Sequence, residues 1–275
     1  MDTPLAPPMT RARERWVLLV GAVVCLALVA GLIRLGIWQL DRRVWKLELI
    51  DRVTRRLAEA PSTLPQATLW SALTPADFEY LHAEAQGQWM PERTVLTQAT
   101  TVFGQGFWVL TPLALADSSV LIVNRGFVPA SQREQWQGPD AGRTPTGLVT
   151  VQGLLRKSEP DGGFLRHNDP ATQRWYSRDV AAIALAQNLS AVAPFFLDAG
   201  LPDPSLMRNP DATLPMVGPW PKPGLTVVKF SNSHLVYALT WFGLAAMLLG
   251  AGGFVVRYER RLRGQGHNTA YGHPR

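Results

Sequence analysis

The sequence predicts a membrane protein in which two transmembrane helices flank an extramembrane α+β domain dominated by antiparallel strands. Three observations carry that expectation. Two long apolar blocks without a charged residue lie near the ends of the chain. The stretch between them reads as short runs of β-forming residues punctuated by Gly, Pro and Asn. Arginines crowd the borders of both apolar blocks.

The first block, Trp16–Ile33, has eighteen residues and the second, Leu235–Val256, has twenty-two. A hydrocarbon core of about 30 Å is crossed by roughly 20 apolar residues in a helix, and only helices and closed barrels satisfy their backbone in lipid. Residues 16–36 and 234–256 are therefore expected to span, leaving tails 1–15 and 257–275 and a central domain 37–233. A cleaved signal peptide is the alternative for the first block. Its apolar core is too long for one, and Leu28 stands where an export cleavage site needs a small residue before Ala30, so the block reads as an uncleaved anchor.

Beyond the first span, Trp45, Leu49, Val53 and Leu57 recur every four positions while Arg42, Arg43, Lys46, Arg52 and Arg56 fall elsewhere around the wheel. This predicts an amphipathic continuation of the helix, ending before Pro61, either packed on the domain or with its basic side against lipid headgroups. Strands are expected within Phe78–Met90, Thr94–Gln98, Gly106–Leu115, Val120–Val128, Leu148–Leu155 and Phe195–Asp198. Residues 108–110 and 120–123 should pair as a hairpin across the turn at 116–119. One helix is expected over Asp179–Leu189. The seven prolines between Leu201 and Gly224 predict an extended loop leading back to the membrane.

The net charge is +6, concentrated in the tails. Two spans put both tails on one side, and arginine-rich flanks mark that side as the cytoplasm, which places the central domain outside it. Basic residues at membrane borders do not form the stripe that nucleic acid requires, so no nucleic-acid partner is expected, whereas membrane lipid is. The only cysteine, Cys25, falls inside the first span. The domain therefore has no disulfide, no Cys-x-x-Cys for copper or thiol exchange, and no Cys-x-x-Cys-His for covalent haem. Its histidines, His82 and His167, have no evident catalytic partners, and the chain is not expected to be an enzyme.

Three segments stand apart. Residues 35–46, LGIWQLDRRVWK, close the first span with tryptophans suited to the interface. Residues 123–129, VNRGFVP, end a strand. There Gly126 is expected to supply a positive φ or a close backbone approach, with a bulge and an ion pair for Arg125. Residues 230–244, FSNSHLVYALTWFGL, lead into the second span. Ser231, Asn232 or Ser233 suits its cap. His234, Tyr237 and Trp241 stand at i, i+3 and i+7. That face suits either packing on the first helix or an imidazole ligand with aromatic neighbours for a flat macrocycle.

Together these segments resemble the Surfeit locus protein 1 family of cytochrome c oxidase assembly factors, in a bacterial member. The resemblance rests on L-G-x-W-Q-x-x-R-x-x-W-K at 35–46, N-R-G-F-V-P at 124–129 and N-x-H-L-x-Y-x-x-T-W-x-G-L at 232–244, in that order, with two spans. The stretch after Pro129 matches only approximately. The resemblance implies an inner-membrane protein that aids haem a delivery into the oxidase's largest subunit, with haem A synthase as a further partner. His234 would then be the haem iron's axial ligand, Tyr237 and Trp241 would line the macrocycle, and Arg125 would meet a propionate or a structural carboxylate. A haem-free scaffold for the oxidase subunit is the alternative.

Overall fold

The computed structural model describes residues 11–138, 141, 144–163, 166–204, 214–228, 230 and 232–268. Two compact units divide it: residues up to Ile50 with those from Ser231 onward, and Asp51–Phe230.

The first unit is a pair of helices, α1 (Arg11–Ala58) as far as Ile50 and α4 (His234–Asn268). Each contains a stretch long and apolar enough to cross a bilayer, and most of those apolar side chains are exposed. A soluble protein would bury such side chains; lipid is the solvent in which this exposure costs nothing. At 1.5 Å per residue α1 is about 72 Å long, more than twice the thickness of a hydrocarbon core. It runs without a break through the expected span limit at position 36 and stops at Ala58, before Pro61, as the amphipathic pattern predicts.

α1 and α4 lie antiparallel. Gln39 meets His234, Gly36 lies against the Phe242 ring, and Cys25 lies beside Gly252. The more buried positions of α1 are Cys25, Val29, Leu32, Gly36 and Gln39; those of α4 are His234, Ala238, Trp241, Ala245 and Leu248. Both series step by alternating fours and threes, the 3.5-residue repeat of two helices meeting along a seam. Cys25, Gly36, Ala238 and Ala245 are the small residues of the seam, and they let the backbones approach where lipid supplies no hydrophobic drive between helices.

The second unit is a barrel. Its strands are β1 (Ser62–Thr63), β2 (His82–Trp89), β3 (Val95–Thr101), β4 (Gly104–Leu115), β5 (Val120–Pro129), β6 (Leu148–Lys157) and β7 (Val192–Ala199). The order β1-β2-β6-β7-β5-β4-β3 closes through a further pairing of β2 with β4, at Gly87↔Leu115 to Trp89↔Leu113. Five strands thus form a ring, with β1 and β3 added to the outer halves of β2 and β4. Pairings are antiparallel except β5 with β7 and β1 with β2.

The strand readings hold, with adjusted ends. The stretch from Phe78 opens as a helical turn, α2 (Pro75–Phe78), capped by Thr74 and Asp77, so β2 starts only at His82. The helix expected over 179–189 is α3 (Val180–Ala186), with the Asp179 side chain accepting from the Ala182 amide. The 108–123 hairpin is present as β4 and β5. β5 is apolar on both faces, because both are covered. Leu121 and Val123 join Phe195 and Leu197 in one core with Phe78, Leu113 and Leu155. Ile122 and Phe196 face the other way, against Trp175, Val180 and Ile183.

Candidate functional site

The N-R-G-F-V-P segment occupies the second half of β5, and its first residue, Asn124, makes the last pairing with β7, at Asp198. Trp108 pairs with Phe127 and Leu110 with Asn124, so Arg125 and Gly126 together oppose the single residue Val109, the bulge the sequence predicts. Gly126 has φ +128°, and a Cβ there would fall 2.2 Å from the Lys222 carbonyl oxygen. Both expectations for this glycine are met. It lets the chain at 222 pair with Phe127 through two backbone hydrogen bonds, which anchors the described part of the proline-rich return segment on the barrel.

Asn124 is buried, and its amide donates to Asp198 Oδ1 at 2.7 Å. Asp198 also accepts from Thr226 Oγ1 at 2.9 Å and from Arg178 Nη1 at 3.2 Å, and Arg156 Nη1 lies 3.6 Å away. Arg178 forks onto Glu159, with Nε donating at 3.0 Å and Nη2 at 2.5 Å. Arg156 lies over the Tyr80 ring and 3.9 Å from Glu79. Burial alone would lower the Arg178 guanidinium, but Asp198 and Glu159 outweigh it and raise its pKa. Burial pushes the Glu159 carboxyl up, and the hydrogen bonds and charge of Arg178 more than offset this, holding it below its ordinary value. A cavity of about 200 Å³ lies among Trp108, Asn124, Arg156, Arg178, Asp198 and Thr226. Charges removed from water persist only when paired and hydrogen-bonded, and here each ion is paired. Sequence reasoning named Asn124 but none of its partners. The available signal was Asp198 itself, a lone charge closing the apolar run Phe195–Leu197.

Arg125 corrects an expectation. Among the described residues it forms no ion pair. Its guanidinium lies 5.0 Å from the ring centroids of both Trp89 and Trp136 and donates to Thr144 Oγ1 at 2.7 Å. Desolvation by this setting lowers its pKa to about 10. Two aromatic faces, which attract a cation without neutralising it, stand where a carboxylate was expected.

In the helical unit, Gln39 and His234 join two of the three distinctive segments. His234 Nδ1 lies 2.8 Å from Gln39 Oε1 across the seam. With the Gln39 oxygen as acceptor, Nδ1 carries the proton and Nε2 keeps its lone pair. Nε2 has no hydrogen bond among the described residues. Gly36 belongs to the same arrangement, since a Cβ there would fall 2.4 Å from the Phe242 ring. Ser233 accepts the first helical bond through its carbonyl, from the Tyr237 amide, so the backbone marks Ser233 as the cap position. Of the three residues expected on one face, His234 and Trp241 share the seam. Tyr237 does not; it is 53% exposed. Arg125 belongs to the other unit. No cluster of three or more His, Cys, Asp or Glu side chains suited to a metal ion occurs among the described residues.

Fold and seam define a class: a sheet-dominated barrel domain carried between two helices of membrane-spanning length and composition. The family model described as the SURF1 family matches residues 26–246, most of the chain, and the protein belongs to that family. It is 32% identical over 238 residues to a SURF1-like protein of Monosiga brevicollis, covering 81% of this chain and 82% of that one. It is 29% identical over 249 residues to Surfeit locus protein 1 of Homo sapiens, covering 84% of this chain and 74% of that one.

Proposed function

We propose that the protein is an assembly factor for the haem–copper cytochrome c oxidase, with no turnover chemistry of its own, that aids haem a delivery into the largest subunit. It sits in a cell inner membrane with both termini cytoplasmic and the barrel periplasmic. Haem A synthase supplies the pigment. The observation that carries this reading is His234, whose ring is fixed at Nδ1 by Gln39 while Nε2 has no hydrogen bond among the described residues. A neutral imidazole held through one nitrogen is a competent axial ligand through the other. Haem a, when bound, supplies an iron that accepts such a lone pair. The chain contributes the imidazole and its orientation, and Trp241 a flat apolar neighbour. Tyr237, half-exposed beside the seam, would line the macrocycle with Trp241, while the Arg125 guanidinium is held by two tryptophans and Thr144.

That half-exposed Tyr237 favours a second reading, in which the protein binds the oxidase subunit as a haem-free scaffold. The test is co-expression with haem A synthase, followed by an absorption spectrum of the purified full-length protein. A haem a spectrum that weakens and shifts in His234→Ala supports delivery. A colourless protein beside an active synthase overturns it in favour of the scaffold. Orientation is checked by fusing alkaline phosphatase after Gly138 or after Arg263. Activity at the first and none at the second is expected, and the reverse refutes the topology.

A further inference from the structure

We infer that Gln39 is a positioning residue for His234, holding its neutral ring as the Nδ1–H tautomer so that Nε2 is the nitrogen offered to a ligand. The inference rests on the haem reading only for the identity of that ligand. The tautomer itself is a property of the protein alone.

Gln39 Oε1 lies 2.8 Å from His234 Nδ1. These residues are 195 positions apart, and each occupies the seam of its helix, with Gly36 one turn away on α1 and Ala238 one turn away on α4. Gly36 and Ala238 are buried. A glutamine carboxamide oxygen accepts and cannot donate, so the imidazole nitrogen facing it must carry hydrogen. In a neutral ring the other nitrogen is then an acceptor, and which nitrogen is protonated is set by the hydrogen bond its partner makes. Ligating histidines share this arrangement: one nitrogen donates to an oxygen that fixes the plane and tautomer of the ring, and the other binds the ion. Neutral carboxamide oxygen suits this place better than a carboxylate. It orients the ring without bringing an ion to the end of an apolar seam, where an unpaired charge is costly. Gln39 also spans the seam as an interhelical hydrogen bond, so a purely structural role has to be separated from the positioning role.

The test uses the full-length protein in lipid bilayers with ¹⁵N-histidine, compared with His234→Ala so that one resonance pair among the five histidines is assigned to His234. Without pigment, His234 is expected as Nδ1–H in the wild type. It should move towards the Nε2–H form in Gln39→Leu and return to Nδ1–H in Gln39→Glu, which restores an acceptor oxygen. After co-expression with haem A synthase, Gln39→Leu should retain about 10-fold less haem than wild type, the lower end of the usual loss when such a supporting partner is removed. Its spectrum should shift, and Gln39→Glu should recover most of the retention. A wild-type ring already in the Nε2–H form, or a Gln39→Leu ring unchanged from wild type, overturns the inference. If His234→Ala and Gln39→Leu both leave haem content unchanged while the tautomer follows Gln39, the positioning stands and the haem reading fails. If His234→Ala loses haem while Gln39→Leu keeps it with an unshifted spectrum, the haem reading stands and the positioning fails.

Discussion

Two of the places where polar side chains lie among apolar ones, the barrel network and the helical seam, are built in opposite ways. In the barrel, Asp198 meets Asn124, Arg156, Arg178 and Thr226, and Arg178 is further held by Glu159. In the helical seam, His234 has one partner, Gln39, and its second nitrogen has none among the described residues. The first arrangement pairs its ions with one another, with Arg156 held by charge and by the Tyr80 ring rather than by a hydrogen bond. The second leaves one lone pair over. Within a single family resemblance, the N-R-G-F-V-P segment is therefore read as a device for holding the barrel together, and the histidine segment as the part that acts.

The largest effect is expected at the barrel network. Asp198→Ala strips Arg156 and Arg178 of a shared partner at a site where the carboxylate is almost wholly buried. Removing one member of a buried ion pair costs about 3–5 kcal/mol. For a domain of this size, that corresponds to a melting temperature lower by roughly 10 °C, measurable by calorimetry on the detergent-solubilised chain. His234→Ala should leave the same transition in place. If the two variants melt alike, the division of labour between the regions is wrong.

Next in size is the seam. Gly36→Leu forces a side chain into the volume of the Phe242 ring, an overpacking expected to cost about 1–3 kcal/mol. The helices should separate, as read by loss of cysteine cross-linking between positions 32 and 245, with barrel melting unchanged. Phe242→Ala in the same chain should restore the cross-link. Undiminished cross-linking in Gly36→Leu alone would show that the seam does not depend on this contact.

The pH dependence should separate the regions more finely. The Glu159 carboxyl is depressed in the folded barrel because Arg178 outweighs its burial. A depressed acid contributes stability that is present above its unfolded value, about 4.3, and is lost as pH falls through the folded value. The barrel should thus keep this contribution at neutral pH and lose it in acid below that unfolded value. In Arg178→Gln the guanidinium's charge and side-chain hydrogen bonds are lost, burial is opposed only by the backbone amide of residue 178 and by Arg156, and the Glu159 pKa should rise, so destabilisation should begin at higher pH. Melting curves across the acid range check this; an acid limb that does not move between the two proteins contradicts it. The smallest effect is expected for Arg125→Lys. An ammonium keeps the charge but gives up the planar stack on Trp89 and Trp136, a loss of about 1 kcal/mol or a few degrees in the barrel's melting temperature.

Much of the fold was legible because its signals are local. An apolar run of membrane length, a four-residue amphipathic repeat up to Pro61, and strands bounded by Gly, Pro and Asn need no knowledge of what lies opposite. Gly126 was legible for the same reason. The barrel network was not, since Asn124 and Asp198 are 74 positions apart, and a single charge in a short strand reads as a solvated face until its neighbours are known. The seam was legible in its residues and not in its pairing. Gln39 and His234 both stood in the distinctive segments, but only the antiparallel helix pair brings them together. Tyr237 lies at the edge of the face it shares with His234 and Trp241: the 3.5-residue seam takes His234, Ala238 and Trp241 and leaves Tyr237 half-exposed beside them. Structure also changes the choice of control histidine. His82 is buried with Nδ1 3.0 Å from the Glu59 carbonyl oxygen, so replacing it perturbs the barrel, whereas His167 is exposed.

The central claim is that the seam acts through His234 while the barrel holds the molecule together. Its most direct test is the haem a content of the oxidase assembled in cells whose only copy of this protein is wild type, His234→Ala or His167→Ala, each at equal membrane abundance. An oxidase depleted in haem a is expected with His234→Ala, and a fully loaded one with the other two. Full haem a occupancy in all three would contradict it and leave the scaffold as the better description.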